Sequence, residues 1–486
     1  MTPRLPSPLA LPAPPPVNTH LVPWIVATAL FMQTLDGSIL NTALPAMAHS
    51  LNESPLRMQS TIIAYLLTMA VLIPASGWLS DHFGSRRVFV IAIALFTTGS
   101  LLCALSPTLS WLVASRVVQG VGGALMMPVG RLVVLRSFPR AELVRVLGFI
   151  TVPGLLGPLL GPTLGGWLVQ YASWHWIFLI NIPVGLVGGT LSLRYLPYLH
   201  GPEDDAFDWS GFLLFAVATV LVSMAFEGMG ELHLPVPRVV LLMAAGLAGL
   251  TAYYLHARRS AAPLFSPHLF DIQSFAIGIA GNLFARLGMG AMPFLTPLLL
   301  QVALGYSPSE AGMTMIPLAL ASIAAKPTAT WLIDRFGFRR ILTTNTVLLC
   351  IMIAGFALIS QTTPRPLLYV YLAIFGGINS TQFTAMNALT LIDLDSKTAA
   401  SGNSLLSVVM QLSISLGVAC AAAVLGAFVN LQLSPPPEAI ITGFHKTYLC
   451  VGLLTAFATT IFLQLPRDEP RGDAISANKV REEEEL

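Results

Sequence analysis

The sequence predicts an all-α integral membrane protein, and three observations carry that prediction. Of 486 residues, 55% are hydrophobic and only 10% are charged, against about 25% charged in a soluble domain. Fourteen mainly apolar stretches have the length of about 20 residues that crosses a bilayer. The Lys and Arg residues between them alternate: eighteen of 25 fall on one side, four on the other (Arg57, Arg238, Arg365, Lys446), and three inside spans (Arg116, Arg286, Lys326). Positive loops stay in the cytoplasm, so both termini are expected inside.

The spans are expected near 22–46, 58–80, 88–106, 109–130, 146–169, 176–193, 209–229, 239–256, 273–302, 309–332, 341–359, 366–391, 401–428 and 447–464. The proline-rich stretch 1–20 lacks the continuous apolar core of a signal peptide. It reads as a cytoplasmic tail, as does polar 467–486. The net charge of +2 gives no nucleic-acid footprint. Cys103, Cys350, Cys420 and Cys450 lie far apart in apolar segments, without metal spacing. No HExxH or triad-like pattern accompanies the nine histidines. Neither an enzyme nor a metal or other cofactor is expected.

The first span carries a charge at its centre. In "FMQTLDGSILNTALP", Asp36 sits mid-helix, where a carboxylate costs about 2.5–3.5 kcal/mol on insertion scales. Such a residue is a functional hypothesis by default. Gln33 and Asn41 flank it as cavity candidates. The fourth span carries Arg116 in "LVASRVVQGVGGA", with Gln119, Gly120 and Gly123 on the same helix face. At 1.5 Å rise per residue, Asp36 lies about 21 Å from the cytoplasmic end of its span, and Arg116 reaches about the same depth. The fifth span, "GLLGPLLGPTLGG", sets Gly154, Gly157, Gly161 and Gly165 along one face. That face admits a close neighbour, while Pro158 and Pro162 favour a bend.

An internal repeat divides the chain. "GWLSDHFGSRR" (Gly77–Arg87) returns 253 residues later as "TWLIDRFGFRR" (Thr330–Arg340). Each copy leaves the second span of a group and enters a short loop. Gly84 and Gly337 suit a tight turn. Asp81 and Asp334 suit pairing with arginines or a helix N-terminus, beside Arg86, Arg87, Arg339 and Arg340. The organisation read from this is a six-helix half at 21–200, two inserted helices at 201–260 and a second six-helix half at 261–466. Repeats of this kind build many secondary transporters, with the substrate site at their interface.

The second half carries surplus positive charge. Arg286 in "GNLFARLGMG" falls about 20 Å into its span, without an acidic neighbour in the central region. It is a candidate partner for Asp36 or for an anionic substrate. Lys326 in "SIAAKPTAT" suits snorkelling to the interface. "GGINSTQFTAMNALT" is polar for a span, and Asn379, Gln382 and Asn387 are expected to face the cavity. Met126, Met127, Met289 and Met292 read as core packing, with an adaptable surface as the alternative.

These motifs resemble a known family. The repeated loop resembles the motif G-x-L-x-D-R-x-G-x-R of the major facilitator superfamily, with His82 for its Arg and Thr330 for its first Gly. The Arg116 segment resembles that superfamily's fourth-helix motif, and Gly154–Gly166 its antiporter motif. "LDGSILNTALP" and "WHWIFLINIPVG" (Trp174–Gly185) resemble the fourteen-span drug:proton antiporters within it; Ser38 stands for the usual Thr and His175 for the usual Arg. The resemblance implies a major facilitator fold of two six-helix halves plus two inserted helices. It implies proton-coupled export of drug-like or amphipathic small molecules from a bacterial inner membrane, by a monomer. It gives Asp36 and Arg116 the proton, the loop motif gating, and Gly154, Gly157, Pro158, Gly161, Pro162 and Gly165 the antiporter signature. Export of an organic anion or metal–carboxylate chelate is the alternative. A non-transporting sensor on the same fold fits less well with Asp36, Arg116 and the antiporter motif. Whether Asp36 answers to Arg116 or Arg286 stays open in the sequence.

Overall fold

The computed structural model describes residues 21–200, 207–229, 234–395, 398–429 and 435–466; the two tails lie outside them. The described chain is helical throughout. The first group comprises α1 (Val22–Ser50), α2 (Gln59–Leu72), α3 (Ser76–Phe83), α4 (Ser85–Ala104), α5 (Leu109–Ser137), α6 (Arg140–Tyr171), α7 (Trp176–Leu179) and α8 (Asn181–Tyr195). A pair follows, α9 (Trp209–Met229) and α10 (Val236–Ala257). The second group comprises α11 (Gln273–Leu298), α12 (Pro308–Thr314), α13 (Ile316–Phe336), α14 (Phe338–Gly355), α15 (Arg365–Leu391), α16 (Ala399–Phe428) and α17 (Pro437–Phe462).

Twelve helical stretches among the described residues are long and apolar enough to cross a membrane. Two expected spans are not among them. They correspond to α1, with 29 residues, and α15, with 27, both longer than a bilayer needs. Their polar residues, Gln33, Asp36 and Asn41 in one and Asn379, Gln382 and Asn387 in the other, lower the hydropathy by which spans are recognised.

The two copies of the repeat make the same turn. Gly84 and Gly337 take φ of +87° and +77°, the left-handed region that residues with a Cβ enter at a cost. We call the end of the bundle with these turns the motif face. Leu199 O accepts the Ser85 N–H at 2.9 Å, closing the first turn. Arg86 and Arg87 stand over the Tyr198 ring at 5.7 and 5.2 Å.

The apolar core is divided by depth in the first group. One buried cluster gathers Val22 to Met32 of α1 with Phe89, Ala92, Val129 and Val133 on the motif side. Another takes Ile39 to Met47 of α1, with Cys103, Leu112 and Phe178, and continues through most of the second group. Between these two levels of the first group lies a buried polar layer.

The inserted pair lies against the junction of the groups, with α9 on both α2 and α16. Trp78 of the loop motif meets Phe207 and Trp209 at 5.2 and 5.4 Å between ring centroids. Asp208 holds the base of the pair. It accepts from Gly211 N at 2.9 Å and Leu264 N at 3.3 Å, and lies 2.8 Å from His256 Nε2.

Candidate functional site

The polar layer is built around Asp36. Its carboxylate and the Arg116 side chain are each 1% exposed, and Arg116 Nη1 donates to Asp36 Oδ2 at 2.6 Å. The same nitrogen donates to Gln119 Oε1 at 2.7 Å, and Gln119 Nε2 donates to Asp36 Oδ1 at 2.8 Å. Asn181, at the start of α8, donates to Asp36 Oδ1 at 3.0 Å and to Ser100 Oγ at 3.1 Å. Arg116 Nε donates to the Thr61 carbonyl at 3.2 Å, and its guanidinium lies 4.2 Å from the centre of the Tyr65 ring. Three donors converge on one carboxylate, and the arginine is bonded on both sides. A buried pair this well bonded offsets the desolvation of both charges, which an unpaired charge would not.

Close packing sets the position of α1. Ser38 Oγ donates to Gly157 O of α6 at 2.9 Å. A Cβ added at Gly157 would lie 2.7 Å from Leu35 N, one at Gly161 would collide with Ser38 Oγ, and one at Gly165 would lie 2.5 Å from Ile39 O. Gly154 stands 3.8 Å from Leu30 by the same measure. The glycine face is thus the bed on which the Asp36 segment rests. The other edge of α6 meets α12. Gly166 packs on the Pro308 backbone, Gly312 on that of Pro162, and Thr163 Oγ1 donates to Gly312 O at 3.3 Å.

Arg286 lies elsewhere. It is 3% exposed; its Nε donates to Asn282 Oδ1 at 2.8 Å and its Nη2 to Asn387 Oδ1 at 3.0 Å. Its guanidinium stands 4.3 Å from the Phe383 ring centre. These partners are neutral, and all belong to α11 and α15. The pairing with Asp36 left open by depth alone is therefore not made in this structure, where Asp36 is saturated within its own group.

The remaining candidates divide. Gln119 is fully buried and belongs to the Asp36 network, not to a cavity wall. Gln382 is also fully buried; it accepts from Asn345 at 2.9 Å and donates to Thr346 Oγ1 at 2.8 Å, so it joins α15 to α14 instead of facing a cavity. Gln33 is 7% exposed and lies 3.9 Å from Met69 Sδ, its Oε1 unpartnered. Asn41 and Asn379 are half-buried, Asn41 donating at 3.4 Å to Gly37 O and Ser38 O. In the loop motif Arg136 Nη2 donates to Asp81 Oδ1 at 2.5 Å within the first group. Gly77 and Asp334 are exposed. Asn181, Ser100 and Tyr65 were missed. The signal for Asn181 was present, since it is the asparagine of "FLINIP", but a polar residue at the start of a helix segment reads as interfacial until the helices are assembled.

A family model described as "Major Facilitator Superfamily" matches residues 26–418. The chain belongs to the major facilitator superfamily. This facilitator is 47% identical over 453 residues to "Putative multidrug resistance protein MdtD" of Pectobacterium atrosepticum, covering 93% of this chain and 97% of that one. It is 48% identical over 445 residues to the protein of the same description from Serratia proteamaculans, covering 92% and 93%. Among solved structures it resembles a D-xylose–proton symporter, with a TM-score of 0.66 at 13% identity over 92% of this chain and 98% of that one. It also resembles a bacterial homologue of the human lysosomal transporter Spinster, with a TM-score of 0.64 at 14% identity over 92% and 96%. At such identities the structures speak for the fold alone. The facilitator is a multi-pass membrane transporter, and the enzyme class is set aside.

Proposed function

We propose that this facilitator is a proton-coupled exporter of drug-like or amphipathic small molecules, a drug:proton antiporter working by alternating access. In this reading α1 and α15 also cross the membrane, giving fourteen spans: two six-helix halves and the inserted pair. Both termini lie in the cytoplasm of a Gram-negative cell, the membrane is the inner one, and the monomer is the working unit. The observation that carries the reading is the buried Asp36–Arg116 pair at 2.6 Å. The names of the relatives supply the substrate class.

Asp36 is the proton carrier and Arg116 its counter-ion. The Asp36 donors Arg116, Gln119 and Asn181 all belong to the first half. Rigid rocking of the halves leaves them in place, so protonation accompanies a shift of α1 against α5 and α8. Helix α6 touches both α1 and α12 and is the element that carries the motion of the second half to Asp36. A membrane potential contributes about 2.3 kcal/mol per charge per 100 mV, enough to drive uphill export.

The test is substrate-induced proton release in inverted vesicles, over a panel of cationic, neutral and anionic compounds. Wild type responds to at least one compound, and Asp36→Asn, folded and inserted, responds to none. Coupling unchanged in that variant refutes the role of Asp36. One observation favours a second reading, export of an organic anion or metal–carboxylate chelate: Arg286 is buried among neutral partners. Loss of anion export in Arg286→Gln with cation export retained would select it.

A further inference from the structure

The inserted pair is fastened at its motif-face end by three consecutive residues that reach different partners. Phe207 and Trp209 meet the Trp78 ring of the first loop motif at 5.2 and 5.4 Å. Asp208, between them, bonds to His256 near the end of α10 and to Leu264 N in the linker that leads to α11. The next residue of that linker is bound twice to one hydroxyl: Phe265 N donates to Tyr253 Oη at 2.9 Å, and Tyr253 Oη donates to Phe265 O at 3.3 Å. Phe215 of α9 closes the corner, its ring 5.5 Å from that of Phe265 and 5.7 Å from that of Tyr253.

Beyond this corner the linker enters the second group with little slack. Phe265 and Leu269 are buried in the same cluster as Phe275 of α11, and the Phe270 and Phe275 rings lie 5.8 Å apart. A free linker from Arg258 to Ile272 would reach about 50 Å when extended. Fastened at Leu264 and Phe265, and wound into a 3-10 turn over Pro267–Asp271, it reaches about 20 Å. Contacts therefore run from Trp78 in the first half, through the base of the pair, to Phe275 in the second.

The internal repeat supplies a comparison. Trp331 stands where Trp78 does, 253 residues on. It is 56% exposed, and among the described residues its ring meets Phe336 and Arg335 of its own copy. The second copy makes the same glycine turn without a clasp of this kind, so the contacts on Trp78 serve something other than the turn.

We propose that the base of the inserted pair is a strap between the halves, which limits how far they separate at the motif face. Helix α9 touches both α2 and α16, so the pair lies across the junction that the strap spans. The proposal rests on the alternating-access reading for the motion that it limits.

The experiment measures distances between two spin labels by electron double resonance, in the full chain reconstituted in lipid nanodiscs. The labels are carried by Leu135→Cys on α5 and Gln273→Cys on α11, both exposed at the motif end, with the native cysteines replaced by alanine. The longest wild-type distance is the limit that the strap sets. It is expected to grow by about 5 Å, one helical turn, in Trp78→Ala and on insertion of Gly-Ser-Gly-Ser between Ser266 and Pro267. The insertion lengthens the linker and leaves every fastening side chain in place. Trp331→Ala is expected to leave the longest distance unchanged. A longest distance unmoved by either Trp78→Ala or the insertion overturns the strap, as does an equal gain in Trp331→Ala. A single wild-type distance at every pH would count against alternating access, while the variants still decide the strap.

Discussion

Arg116 Nη1 lies 2.6 Å from Asp36 Oδ2, with both side chains 1% exposed. Removing one member of such a pair leaves a buried charge without its counter-ion, which costs about 3–5 kcal/mol. Arg116→Gln should therefore unfold at a clearly lower temperature in detergent than wild type. The double variant Asp36→Asn, Arg116→Gln should recover much of that loss while staying inactive in proton release. Thermal unfolding of the four proteins in one detergent measures the coupling; additive losses would mean that the pair is not a unit.

Asn181 donates to Asp36 and to Ser100 and is 2% exposed. Asn181→Leu removes one of three donors from the carboxylate, and a hydrogen bond to a charged group is worth about 1.5–3 kcal/mol. Asn181→Leu should therefore lower the melting temperature and slow substrate-induced proton release. Reduced thermal stability with proton release unchanged would make Asn181 a packing residue.

Two glycines on one helix should behave oppositely. Gly161→Ala sets a methyl group against Ser38 and Ile39 N, whereas Gly148→Ala meets nothing. The first should lower the melting temperature and transport together. The second should be neutral or stabilising by up to about 1 kcal/mol, the helix-propensity difference. Parallel melting curves and transport assays check both.

The Asp208 clasp gives a pH dependence away from the membrane interior. Burial by itself raises the Asp208 carboxyl, but the Gly211 N–H, the His256 ring and the Leu264 N–H outweigh it and hold the group below its ordinary value. A depressed carboxylate stabilises above its unfolded pKa, and that stability is lost as pH falls through the folded one. Amide protection at Gly211 and Leu264, corrected for intrinsic exchange, should stay constant down to about pH 4 and fall below it. In Asp208→Asn it should be low at every pH.

Much of this was legible in the sequence because it depends on local rules. The repeat located both glycine turns, and rise per residue set Asp36 and Arg116 at one depth. The small-residue face identified the side of α6 that meets α1. Partner choice was harder to read. Gln119 shares a helix face with Arg116, which fits a cavity wall and a bridging ligand equally well. The polar residues of α15 look alike in sequence, yet Asn387 turns to Arg286, while Gln382 turns to Asn345 and Thr346. Periodicity gives a residue's face and leaves its neighbour unnamed.

The first half is in effect a two-storey building whose floor is Asp36, Arg116, Gln119 and Asn181, with separate hydrophobic rooms above and below. The second half has buried polar joints of its own, Arg286 with Asn282 and Asn387, and Gln382 with Asn345 and Thr346, but none of these residues is a carboxylate. In the proposed mechanism, a proton arriving at Asp36 does more than change a charge: it loosens the floor that ties α1 to α5 and α8.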